Sequence, residues 1–174
     1  MVASNASAEV QVLKDIPFSQ DIEVRAAVRE KCELGTKLSG FIAEYGTDVT
    51  RVDELGSGRV LDLSITQVHA SGGGVFSGPK WLEVQGTLKQ AGKPVASFRG
   101  KRFSGGGAFG VFKGTCAIIG RTTQALGKDI GTWLANPVDG ANLGDARGVC
   151  DQGPVRSFET FPDTSISLSH RTSV

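Results

Sequence analysis

Between Arg59 and Phe103 the chain carries three alternating apolar/polar runs in succession. An antiparallel sheet with one buried face is the arrangement that shelters one side of all three. The first run, Arg59 to Ala70, turns inward at Leu61, Leu63 and Ile65 and then shifts by one residue to Val68 and Ala70. A slip of one position exchanges the two faces of a strand, so this shift predicts a β-bulge near Thr66 and Gln67. The second run, Trp81 to Lys89, sets Leu82, Val84 and Leu88 against Glu83, Gln85, Thr87 and Lys89, and the second set is expected to face water. The connection Gln90, Ala91, Gly92, Lys93 leads into a third run, Val95 to Phe103, with Ala96 and Phe98 inward and Ser97, Arg99 and Lys101 outward. The three runs predict an antiparallel meander.

The rest of the pattern supplies helices. Glu9 to Phe18 alternates imperfectly around Val10 and Val12 and predicts an N-terminal strand. Ile22, Ala26 and Ala27 recur among charges and predict a helix over Asp21 to Lys31, with Asp21 and Glu23 in its first turn, where the macrodipole favours acids. Gly35 and Thr36 read as a stop and a new N-cap, followed by a short helix through Leu38, Phe41 and Ile42 that ends at Gly46. Thr47 to Gly58 reads as a loop. The clearest helical stripe is Phe109, Phe112, Cys116, Ile119, Leu126, Ile130 and Trp133, interrupted by Thr123 and stopped at Asn136 and Pro137. Beyond Val138 an ordered coil is expected. The fold class is therefore α+β: a three-stranded meander plus an N-terminal strand, with two to three helices packed on one face. Residues 1–8 are expected to be a flexible leader, 9–145 a single domain, and 146–174 a mobile tail.

A length of 174 residues suits one domain, and 19 basic against 18 acidic residues leave a formal charge of +1. A chain so balanced has no electrostatic footprint for nucleic acid. No apolar run approaches the length of a membrane-crossing helix, and MVASNASAEV lacks the basic and apolar regions of an export signal.

Glycine, 24 residues in all, is concentrated in an internal echo. Ser71, Gly72, Gly73, Gly74, Val75, Phe76 resembles Ser104, Gly105, Gly106, Gly107, Ala108, Phe109, and each copy follows a predicted strand. The first and third strands of a meander run the same way, so both segments leave one end of the sheet. Lys80 and Lys113 lie just beyond them, and the second opens into a helix whose free N–H groups favour anions. Gly72, Gly73, Gly74, Lys80, Gly105, Gly106, Gly107 and Lys113 thus form a candidate binding rim. The second segment also fits G-x-G-x-x-G at Gly105, Gly107 and Gly110, but the preceding strand carries Arg99 and Lys101, whereas a dinucleotide fold buries that strand on both faces. Glycines that permit tight connections are the simpler reading.

No catalytic constellation is recognisable: His69 ends a strand without a motif-like partner, His170 falls in the tail, and Asp129 reads as a helix-surface carboxylate beside Lys128. Trp81 is either a contact residue or a lid over the wet face. Cys32, Cys116 and Cys150 lack zinc spacing, so neither metal nor cofactor is expected. Cys32 and Cys116 each lie near a helix on the same sheet face, and fit either a disulfide or two buried thiols.

The segments CELGTKLSGFI, GGGVFSGPKWLEVQGTLKQAGKPVASF, SGGGAFGVFKGTC and LGKDIGTWLANP resemble an uncharacterised family of proteobacterial exported lipoproteins, over about residues 8 to 145. The resemblance implies a periplasmic or outer-membrane-associated place and an oxidising compartment, in which Cys32 and Cys116 pair. The lipid-accepting cysteine of that family is missing, so a membrane tether is expected only if it preceded this sequence; Cys150 falls outside the similarity. The expectation is a non-enzymatic envelope protein that binds another envelope protein through the glycine rim or the wet face, with a small-anion or nucleotide binder as the alternative.

Overall fold

The computed structural model describes residues 9–70, 79–104 and 114–146. Residues 1–8 of the expected leader and 147–174 of the expected tail lie outside them, as do the two glycine segments. Strands β3 (Arg59–His69), β4 (Lys80–Gln90) and β5 (Lys93–Ser104) make the expected antiparallel meander. The register of β3 on β4 shifts between Ile65 and Gln67, which places the bulge at Thr66. The β4–β5 turn needs left-handed backbone at both central residues, and Ala91 and Gly92 adopt it, at φ of 48° and 77°.

Three further strands complete a mixed six-stranded sheet. β1 (Val10–Leu13) lies parallel to β3, β2 (Val49–Val52) lies parallel to β1, and β6 (Ala141–Gly144) lies parallel to β5. The order is β2-β1-β3-β4-β5-β6. Two expectations are corrected here. The Thr47–Gly58 loop contains β2, and the coil beyond Val138 contains β6. Both are four-residue edge strands recruited by pairing, β2 with the equally short β1 and β6 with the longer β5, so neither needed an alternating pattern of its own.

Helices α1 (Ala26–Lys31), α2 (Leu34–Tyr45) and α3 (Thr115–Ala135) accompany the sheet. The first helix starts later than expected: Asp21 to Arg25 is not helical, and Ile22 and Val24, two apart, both pack on the core from an irregular segment. The second starts earlier. Glu33, left-handed at φ 50°, precedes it, and Gly35 lies buried in its first turn because a side chain there would meet the Ile16 backbone. α3 follows the predicted stripe from Cys116 to Trp133; Phe109 and Phe112 fall outside the described residues. Thr123, the gap in the stripe, is fully buried, and its hydroxyl donates to the Ile119 carbonyl at 2.9 Å, so the polar atom costs little there.

The core lies between sheet and helices, from Val10 and Val12 through Leu61, Leu82 and Phe98 to Leu126 and Ile130. Each such Leu or Ile side chain contributes about 1.5–3 kcal/mol on burial. α2 and α3 cross closely because α3 presents glycine: a Cβ on Gly131 would stand 2.7 Å from the Gly46 nitrogen. Two covalent and ionic ties reinforce the layers. Cys32, the C-cap of α1, and Cys116, in the first turn of α3, form a disulfide with Cα atoms 5.0 Å apart. Asp129 pairs not with Lys128 but with the sheet: Arg102 donates to both its oxygens, at 2.6 and 2.8 Å, and that contact raises the guanidinium above its ordinary value.

Candidate functional site

Register places the outward residues of β3, β4, β5 and β6 in rows across the face opposite the helices. The first row is His69, Trp81 and Phe103, and the second is Gln67, Glu83 and Lys101. The third is Ser64, Gln85, Arg99 and Asn142, and the fourth is Asp62, Thr87 and Ser97. The bulge at Thr66 brings Gln67 and His69 onto this face after Asp62 and Ser64; without it the last residues of β3 would point the other way.

The first row is aromatic. His69 stacks on Trp81 with centroids 3.8 Å apart and planes 9° from parallel, and Trp81 meets Phe103 at 5.7 Å. Phe103 is 47% exposed, so the row ends in an open apolar ring. Lys101 holds its ammonium 5.2 Å from the Phe103 ring and 5.7 Å from Trp81. Trp81 is thus part of a contact row and packs sideways against its neighbours. His69 gives its ring face to that row.

The second row contains the residue that sequence reasoning placed wrongly. Glu83 was assigned to the wet side, yet it is 1% exposed. Arg99 covers one oxygen, with Nε at 2.8 Å and Nη2 at 2.6 Å from Oε1, and Lys101 Nζ stands 3.4 Å from Oε2. Oε2 accepts no hydrogen bond from the described residues. Glu83 is therefore a buried anchor that fixes two cations on the open face. The only signal for it was that Arg99 and Lys101 alternate on the adjacent run.

The third and fourth rows border a depression of about 430 Å³ whose walls are mostly polar. Its edge is held by the β5–β6 side, where Ser97 donates to Asp139 at 2.6 Å and accepts from the Gly140 nitrogen at 3.2 Å.

Of the sequence-derived rim, Gly72, Gly73, Gly74, Gly105, Gly106, Gly107 and Lys113 lie outside the described residues. Lys80 begins β4 on the same side as Leu82 and is 1% exposed. The strand ends from which the glycine segments depart do lie together, since His69 and Phe103 flank Trp81 in one row. Cys32 and Cys116 are joined. Among the described residues no group of His, Cys, Asp or Glu is placed to hold a metal, and no helix is long and apolar enough to cross a membrane.

Fold and face together define a disulfide-stapled α+β domain, its helices on one side of a mixed sheet and a patterned aromatic and polar surface on the other. No protein family, no curated protein and no solved structure matches the chain.

Proposed function

We propose that this chain is a non-enzymatic binding protein of the bacterial cell envelope, periplasmic or associated with the outer membrane, that docks another envelope protein on the aromatic end of its sheet. The observation that carries the reading is the partly exposed His69–Trp81–Phe103 row, in which His69 stacks on Trp81 and Phe103 meets it at a tilt, bordered by a lysine that Glu83 holds in place. Tryptophan is among the commonest energetic anchors of protein interfaces, and rigid presentation on a sheet lowers the entropy lost on docking. The disulfide is compatible with an extracytoplasmic home, and the resemblance to exported lipoproteins points to the same place. The alternative, a small-anion or nucleotide binder, draws on Lys113 and the glycine segments.

The test is site-specific photo-crosslinking from position 103 in cells. The expected result is one discrete adduct in the envelope fraction that disappears in Trp81→Ala, a truncation expected to weaken docking by about 2 kcal/mol or more. No adduct at position 103, or one indifferent to Trp81→Ala in a protein with unaltered far-UV dichroism, would count against it.

A further inference from the structure

We propose that the depression at the opposite end of the same face is a binding site for a neutral, polyhydroxylated ligand of the oligosaccharide class. It is separate from the aromatic row: Gln85 stands four residues from Trp81 along β4, roughly 13 Å at the strand rise. Its volume, about 430 Å³, falls among those of small-molecule sites, but its lining does not. Such sites are mostly apolar with a few polar groups, whereas seven of the eleven residues lining this one are polar, and Phe98 and Ala141 are its apolar side chains beside two glycines. An apolar occupant would strip water from the Ser64, Gln85 and Thr87 side chains and leave them unpaired, at a cost each would impose separately, while Ser97 is already held by Asp139 and Gly140 and Arg99 by Glu83. The occupant must offer hydrogen bonds over most of its surface. Hydroxyl and amide side chains both donate and accept, as do the hydroxyls of a sugar.

Charge decides between a sugar and an ion. The ionised groups in and around the depression are matched: Lys89 with Asp62 at 2.6 Å, and Arg99 and Lys101 with Glu83 at 2.6 and 3.4 Å. Asp139 completes the set beside Ser97, giving three cations, Lys89, Arg99 and Lys101, against three carboxylates, Asp62, Glu83 and Asp139. An anionic ligand would meet no surplus positive charge, and a cation no surplus negative charge. Arg99 still offers donors: its side chain is 49% exposed, and the Glu83 contact uses the N–H groups of Nε and Nη2 out of the five a guanidinium carries. Because the buried carboxylate fixes its position, the guanidinium is preorganised for a ligand oxygen.

The probes are maltotriose and N,N′,N″-triacetylchitotriose, titrated into isotope-labelled protein, with inorganic phosphate and citrate as anionic comparators. The expected result is that one trisaccharide shifts the amide resonances of Gln85, Arg99 and Asn142 in a saturable manner and leaves the Trp81 indole signal in place. Gln85→Ala should weaken that binding about tenfold, and Thr87→Val, which keeps the strand's branched side chain but removes the hydroxyl, should weaken it as well. Trp81→Ala should leave it unchanged, so loss of protein docking and loss of sugar binding are told apart. The proposal is overturned if neither trisaccharide perturbs these residues at millimolar concentration, if phosphate or citrate does so in their place, or if both substitutions leave trisaccharide affinity intact.

Discussion

Reducing the Cys32–Cys116 disulfide should lower the stability of the domain by several kcal/mol without changing its fold. The two residues are 84 apart in sequence. Closing a loop of that length removes about 15 cal/mol/K from the unfolded ensemble in the chain-entropy treatment, which is about 4.5 kcal/mol at 25 °C. At roughly 2–4 °C per kcal/mol for a chain of this size, the midpoint of thermal unfolding should fall by roughly 9–18 °C. Reduction is a cleaner perturbation than mutation because it keeps both sulfur atoms where they are, Cys32 being buried against the core. A Cys32→Ala, Cys116→Ala variant should fall further, since it also leaves space behind. Urea unfolding followed by tryptophan fluorescence, with and without reductant, measures the difference. The reduced chain should also show a larger m-value, because its unfolded state is no longer cross-linked and exposes more surface. A reduced protein whose midpoint stays within about 3 °C of the oxidised one would refute the reasoning, since the staple would then constrain nothing the unfolded chain explores.

Other consequences follow from the packing and the charges. Gly131→Ala should destabilise by about 1–3 kcal/mol in urea unfolding despite the better helix propensity of alanine, because its Cβ would stand 2.7 Å from the Gly46 nitrogen and 2.8 Å from the Tyr45 carbonyl carbon. Gly120→Ala, in the same helix with nothing among the described residues within 4 Å, should instead stabilise by about 0.5–1 kcal/mol; equal effects at the two sites would contradict the α2–α3 contact. Glu83→Gln should cost about 1–3 kcal/mol by leaving Arg99 and Lys101 without their shared carboxylate, discounted because Arg99 is half-exposed. The Asp139 carboxyl is held below its ordinary value first by the Ser97 hydroxyl and then by the Gly140 and Ser97 backbone N–H groups. Its contribution to stability is present above the unfolded carboxylate value, about 4, and is lost as pH falls through the lower folded value. The urea midpoint should therefore drop as pH falls below about 4, and Ser97→Ala should flatten part of that drop.

What the sequence made legible depended on how much pattern each element carried. The meander was readable because each strand spans many residues with one buried face, and the bulge because Val68 and Ala70 fall out of step with Leu61, Leu63 and Ile65. β2 and β6 were not: in Thr-Arg between two valines, and in Ala-Asn-Leu-Gly, too few residues are inward to show a period, and pairing with β1 and β5 makes the strand. Gly35 resembled a helix stop because the sequence cannot show Ile16 pressing on it. Asp129 was seen beside Lys128, but its partner arrives from β5, 27 residues earlier. Glu83 looked wet because alternation reports which face a residue is on, and not whether neighbouring side chains fold over it. By its residues alone the sequence leaves Cys32 and Cys116 as a disulfide or two thiols, and only the family resemblance implies the pair; in the structure they are joined.

The redox state of Cys32 and Cys116 in the living cell is the measurement to make first, because the proposed binding role outside the cytoplasm requires the disulfide to persist there. Cells would be quenched in acid, free thiols alkylated before any exposure to air, and the peptides containing Cys32 and Cys116 mapped by mass spectrometry. The expected result is that these two peptides are recovered joined to each other and unalkylated. Recovery of both as separate, fully alkylated thiols would contradict it, and would place the protein in a reducing compartment.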